Sequence, residues 1–298
     1  MSLRDNETYT LSVRQHQRFG KLREEVHEAG HLPGGNPILC IHGFNTNEYE
    51  AAWNYRNFAK EFAKLGIPDF HCKRIVHFFW PGNNGFPGFI DRRKDWSKKS
   101  LLDMITGLTY SWQIRKAKAA ARLLARHIME KGTVSKPFVI VAHSLGCRLT
   151  LELLKEIAEN HMNIAHRIQF TTLMAGAVPE KMLEDITGPY HKLRSWQSPM
   201  ACIFSKNDET LKTHFPMGQR LARVKFVAGE QVKYKSAAIG YSGNPPAFWT
   251  GGQMESGIDH GEYWKNDKIA AFLALKLGIP ARATLNVNKL NGTPNRYR

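Results

Sequence analysis

The sequence has no uninterrupted apolar run of the ~18 residues that a membrane-spanning helix needs. Its first segment, MSLRDNETYTLSVRQHQRFG, holds no apolar core of signal-peptide length, so the expected location is cytoplasmic. Cysteine is scarce. Cys40, Cys72, Cys147 and Cys202 are scattered singly, with no CxxC pair, which argues against a disulfide scaffold and against a zinc site. They read as reduced thiols, Cys40 and Cys202 within strands and Cys147 at the start of a helix. No internal repeat or low-complexity segment occurs. Acidic residues are few: 26 Asp+Glu stand against 42 Lys+Arg, a formal charge of +16. That balance favours an anionic partner such as nucleic acid, an anionic lipid surface or an acidic protein. No nucleic-acid-binding motif accompanies it.

The sequence does hold ample core material. Over 298 residues, 42% are hydrophobic, which excludes a chain disordered throughout; the length permits one large domain or two small ones, and α/β folds commonly run this long as one unit. Residues 7–14 read as a strand, and the polar stretch 20–36, ending in HLPGGNP, as a loop. Short continuous apolar runs at 37–45, 74–82, 137–144, 167–177 and 199–208 read as buried strands, with 224–229 a further candidate. Helical spacing marks 48–65, 111–132, 145–160 and 262–278. Residues 83–110 read as an irregular insert carrying Phe86, Phe89, Ile90 and Trp96. They form either a lid or an ordinary surface excursion. Strands that are apolar on both faces and alternate with helices predict a mostly parallel sheet covered on both sides, an α/β fold. The expected organisation is a strand and loop at 1–36, a main domain at 37–278 containing the insert 83–110, and a polar tail at 279–298. The basic residues lie in the insert (Arg92, Arg93, Lys94, Lys98, Lys99) and on the following helix (Arg115, Lys116, Lys118, Arg122, Arg126). On the helix they read equally as a solvated face.

Chemistry concentrates at VIVAHSLGCRL, residues 139–149. An apolar strand runs into Ala142-His143-Ser144-Leu145-Gly146 and turns directly into a helix. A nucleophilic serine at such a tight turn needs small residues two before and two after it, and Ala142 and Gly146 supply them. The helix then directs its free N–H groups and positive dipole end toward developing negative charge. The competing reading is a serine that merely caps the helix. A second segment, Ile41-His42-Gly43-Phe44-Asn45, ends the first buried strand. There Phe44 N–H, with Leu145 N–H, suits an oxyanion, and Gly43 allows close approach. His42 reads as a brace for that loop, and His143 as structural or as pocket floor.

A serine nucleophile needs a base, and the base an orienting carboxylate. Asp208 follows the strand 199–208 at its carboxyl end, although an Asx turn or a helix cap would also place an aspartate there. Asp185 and Glu184 are the other candidates for the acid. His260, in GIDHGEYWKN just before the last helix, is the favoured base, with His214 and His191 as alternatives.

These motifs, in this order, resemble the α/β-hydrolase superfamily, its lipase/esterase-like branch, with an IHGFN oxyanion loop and an AHSLG elbow over roughly residues 37–278. The resemblance implies Ser144 as nucleophile, Asp208 and His260 as its partners, and Phe44 and Leu145 as oxyanion donors. It implies His42, Gly43, His143 and Gly146 as supporting residues, and requires no metal or organic cofactor. The expected activity is cleavage of carboxylic esters, of small molecules or of lipids at an anionic surface. Amide or thioester hydrolysis, acyl transfer, or binding of nucleic acid or an acidic partner on the same fold are the alternatives.

Overall fold

The computed structural model describes residues 8–14, 22–33, 36–44, 46–67, 74–82, 99–130, 136–219 and 234–279, with side chains in the long helix described from residue 113 onward. The elements are β1 (Tyr9–Arg14), β2 (Leu22–Ala29), β3 (Ile38–Ile41), α1 (Glu48–Lys64), β4 (Ile75–Phe79), α2 (Lys99–Glu130), β5 (Phe138–His143), α3 (Leu145–Asn160), β6 (Ile168–Met174), α4 (Glu180–Glu184), β7 (Met200–Phe204), α5 (Ile239–Ser242), β8 (Gly252–Glu255) and α6 (Asp267–Lys276). The strands form one sheet in the order β2-β1-β4-β3-β5-β6-β7-β8. β1 and β3 to β8 run parallel, and only β2 is antiparallel.

Every residue of β3, β4, β5 and β7 is buried, as expected of strands covered on both faces. The covers are two helix pairs, α1 with α6 and α2 with α3. Helix α1 turns Ala51, Tyr55, Phe58 and Phe62 inward at helical spacing. Its start is fixed by a capping box: Glu50 N–H donates to Asn47 Oδ1 at 2.9 Å and Asn47 N–H to Glu50 Oε2 at 3.0 Å. Trp264, which is fully buried, stands edge-on to Tyr55 and Phe58, with ring centroids 5.2 and 5.4 Å away. That cluster ties α1 to the segment between the base loop and α6. On the other face Arg148 is buried on α3. It is balanced by Glu152, to which Arg148 Nε donates at 3.2 Å and Tyr190 Oη at 2.8 Å.

Three sequence expectations need correction. The segment 20–36 is not all loop, because β2 occupies Leu22–Ala29. It is the edge strand, buries only Val26 fully, and so lacks a two-sided apolar run. The insert is not irregular throughout: α2 begins at Lys99, twelve residues before the expected start at 111. A last strand, β8, lies at Gly252–Glu255, where no strand is expected, and it too is an edge strand with alternating exposure. The lid candidate from 83 to 98, the strand candidate 224–229, Cys72 and the tail from 280 lie outside the described residues. Cys40, Cys147 and Cys202 are free and buried. Among the described residues, no helix is long and apolar enough to cross a membrane and no group of His, Cys, Asp or Glu is arranged to hold a metal ion.

Phe58→Ala removes a fully buried ring from the α1–Trp264 contact. It is expected to lower the unfolding free energy by about 3–5 kcal/mol in urea titration. Tyr49→Ala, on the same helix but 88% exposed, should change it by less than about 0.5 kcal/mol. Equal effects would contradict this packing.

Candidate active site

β5 ends where a turn must carry the chain at once into α3. Ser144 sits at that turn with φ 55° and ψ −122°, a backbone region that strongly favours glycine. The turn is held on both sides: Ser144 N–H donates to Met174 O at 2.9 Å, and Ser144 O accepts from Cys147 and Ala177 N–H. Ser144 precedes α3, yet its side chain makes no capping bond to the helix. Its hydroxyl instead donates to His260 Nε2 at 2.9 Å, and His260 Nδ1–H donates to Asp208 Oδ2 at 2.7 Å.

The structure therefore brings Ser144, His260 and Asp208 into one hydrogen-bonded chain. Asp208 is fully buried, Ser144 nearly so, and the His260 side chain is 17% exposed. Asp208 also caps the turn that follows it, since its Oδ1 accepts from Leu211 N–H at 2.8 Å. The two readings of this aspartate are compatible, because each oxygen takes one of them. Asp185 is occupied elsewhere, accepting from Thr187 N–H and Tyr234 Oη. Glu184 ends the short helix α4. His191 Nδ1 bonds Gly188 O, and His214 lies in the turn after Asp208. Neither histidine joins the chain.

The loop bearing His260 is fixed from several directions. Ser256 N–H donates to Phe204 O at 2.8 Å, Asn207 Nδ2 to Gly257 O at 2.9 Å, and His260 N–H to Asp259 Oδ1 at 2.8 Å. His143 Nε2–H donates to His260 O at 2.9 Å. Thus the residue beside the serine does not reach the serine's hydroxyl; it holds the backbone of the base. Burial, then the neighbouring His260, pushes the His143 pKa well below its usual value, so the ring stays neutral.

The loop after β3 approaches Ser144 closely. A Cβ on Gly43 would lie 2.7 Å from Ser144 Cβ, and one on Gly146 only 2.4 Å from His42 O. Gly146 is therefore required by contact with the neighbouring strand end and loop. His42 is buried and stacked on Trp80, with ring centroids 5.6 Å apart. Its Nδ1–H donates to Gly43 O at 3.0 Å, its Nε2 accepts from Trp80 N–H at 3.4 Å, and its carbonyl accepts from Trp80 Nε1 at 2.9 Å. Both ring nitrogens are used, so His42 braces the loop as a neutral ring. Burial draws its pKa down to about 4. Phe44 follows in the same loop. Leu145 begins α3, where the first N–H groups have no partner within the helix. Such a site can deprotonate a hydroxyl, use it as a nucleophile and face an oxyanion with backbone donors.

Sequence comparison agrees with the architecture. Residues 23–276 match the family described as alpha/beta hydrolase of unknown function (DUF900), and the chain belongs to that family. A comparison with curated proteins returned no match. Among solved structures, the chain is similar to a predicted CIB-like hydrolase from Thermoplasma acidophilum, with 11% identity, 81% of this chain and 86% of that one covered, and a TM-score of 0.40. It is also similar to an extracellular alpha/beta-hydrolase from a Paenibacillus species, with 12% identity, coverage of 81% and 99%, and a TM-score of 0.39. Thermogutta terrifontis esterase 2 shows 14% identity, coverage of 84% and 87%, and a TM-score of 0.38.

The two buried neutral histidines fix the sign of a pH effect. Above about pH 6.5 neither state protonates them, and their contribution to stability is fully present. As pH falls, the unfolded chain takes up protons that the native state refuses. His42 alone then costs about 3 kcal/mol by about pH 4, and the loss levels off below that. Urea midpoints measured from about pH 7 to about pH 4 should decline accordingly, and less steeply in His42→Asn. Parallel declines in the two proteins would count against this assignment.

Proposed function

We propose that the protein is a serine hydrolase that cleaves carboxylic esters. The observation that carries this reading is the Asp208–His260–Ser144 hydrogen-bonded chain ending on a serine held at positive φ between a strand and a helix. Ser144 Oγ attacks the ester carbonyl while His260 Nε2 takes its proton. Asp208, fully buried, holds the Nδ1–H tautomer and stabilises the imidazolium that forms. The carbonyl electron pair moves onto oxygen, which Leu145 and Phe44 N–H stabilise; one such donor is typically worth about 3 kcal/mol. As the pair returns, the ester C–O bond breaks and His260 hands its proton to the departing alcohol. Water then repeats the sequence on the acyl-enzyme and frees Ser144. An ester asks least of this arrangement, because its alcohol departs with the single proton that His260 holds.

A serine-directed fluorophosphonate should label the wild type and leave Ser144→Ala unlabelled. Failure to label the wild type, or equal labelling of both, removes the proposal. On a short-chain aryl ester, Asp208→Asn should lower kcat by about 10⁴-fold, the loss expected when the base takes the wrong tautomer. Asp185→Asn should stay within about threefold, since its carboxylate serves Thr187 and Tyr234.

A further inference from the structure

The histidine beside the serine has no part in the steps above, yet it touches the nucleophile, the base and the β3 loop together. His143 Nε2 lies 2.9 Å from His260 O. Its Nδ1 edge faces the β3 loop, where a Cβ on Gly43 would lie 3.2 Å from Nδ1 and 2.7 Å from Ser144 Cβ. Its own peptide bond carries Ser144, whose Oγ meets His260 Nε2 at 2.9 Å. The ring is buried, and the rings of Tyr263 and Trp264 flank it with centroids 5.5 and 6.1 Å away.

One protonation state fits these neighbours. A carbonyl oxygen accepts and cannot donate, so the contact with His260 O needs a proton on His143 Nε2. A proton on Nδ1 would stand against Gly43, whose carbonyl already accepts from His42 Nδ1–H. Among the described residues Nδ1 makes no hydrogen bond, and a buried N–H without an acceptor is unfavourable. The β3 loop therefore selects the neutral Nε2–H tautomer, the one that can hold the base. The lowered pKa of the ring, from burial and then from His260, agrees with this.

The consequence is for distance. Through β5, β7 and the Asp208 loop, the path from Ser144 to His260 is long. Through His143 it is one peptide bond, one ring and one hydrogen bond. The base cannot move away from the elbow without stretching that bond. His260 is thereby held at two points, its carbonyl by His143 and its Nδ1 by Asp208 Oδ2 at 2.7 Å.

We propose that His143 is a positioning residue: with its tautomer fixed by Gly43, it sets the separation between the Ser144 hydroxyl and the His260 base and couples the β3 loop to the base loop. It touches no reacting atom, so its loss slows the chemical step and leaves substrate binding intact. The kinetic part of this inference rests on the ester-hydrolase reading, and the geometric part does not.

Three variants test it on a short-chain aryl ester. His143→Leu fills the space without a donor and should lower kcat by about 10²-fold, the effect of a misplacement of about 1 Å, with KM within about threefold of wild type. His143→Gln presents an amide N–H at nearly the reach of Nε2 and should recover at least about tenfold of that loss. His143→Asn falls short of His260 O and should behave like His143→Leu, which it replaces if the leucine variant does not fold. A kcat within about threefold of wild type in His143→Asn, a rise in KM in place of the fall in kcat, or His143→Gln no faster than His143→Asn overturns the proposal. Nuclear magnetic resonance of the ring nitrogens gives a readout that needs no activity. Wild-type His143 should carry its proton on Nε2 at neutral pH. The His260 Nδ1–H proton, bonded to Asp208, should give a downfield signal that His143→Gln keeps and His143→Asn shifts or loses. A proton on His143 Nδ1, or an unchanged His260 signal in His143→Asn, overturns the proposal. If fluorophosphonate fails to label the wild type, the hydrolase reading falls alone and these signals still decide the positioning.

Discussion

A non-glycine residue held at φ 55° costs about 1–3 kcal/mol, and at Ser144 that cost is offset by everything around it. β6 accepts the Ser144 N–H through Met174 O, and the carbonyl accepts two donors from the chain beyond. A second non-glycine residue at positive φ, Ala175, directly follows the strand that supplies the acceptor. The β3 loop presses against the turn so closely that Gly43 and Gly146 leave no room for a Cβ. The mostly parallel sheet, with β3 and β6 hydrogen-bonded on either side of β5, holds these contacts against the strain. The reward is geometric: the hydroxyl stands clear of its own helix and meets His260.

The two histidines outside the hydrogen-bonded chain belong to the same constraint. His42 locks the β3 loop to Trp80, and His143 locks the base loop to the end of β5. Each ring is neutral because it is buried, and each uses its N–H on a backbone carbonyl. A charged ring at His143 would add a cation beside His260, 4.8 Å between ring centroids, and oppose an imidazolium there. Burial therefore serves the electrostatics of the site as well as its shape.

Much of this was legible in the sequence because the constraint acts on short, contiguous segments. A buried strand, a small residue, the serine and a glycine must follow one another within a single turn, and residues 139–149 display that order. The central strands were legible because burial on both faces leaves continuous apolar runs. β2 and β8 were not, since an edge strand buries one face at most and reads as loop. The reason for Gly146 was also hidden: its close neighbour, His42 O, lies more than a hundred residues away in sequence. His143 was legible only as a structural residue or as pocket floor. Its actual partner, the His260 carbonyl, exists only once the last loop folds over β5.

The same distinction applies to the charge. Composition gives a total of +16 but no address. Arg122 and Arg126 face solvent on α2, and Arg122 lies 3.8 Å from Glu156 on α3; charges of that kind are screened by water and salt and discriminate little between ligands. Arg14 and Arg23 come from two separate strands, so no spacing in the sequence marks them as a group. Folding brings Arg14 and Arg23 together, half-buried, at the carboxyl end of β1, where each charge acts through less water and therefore more strongly.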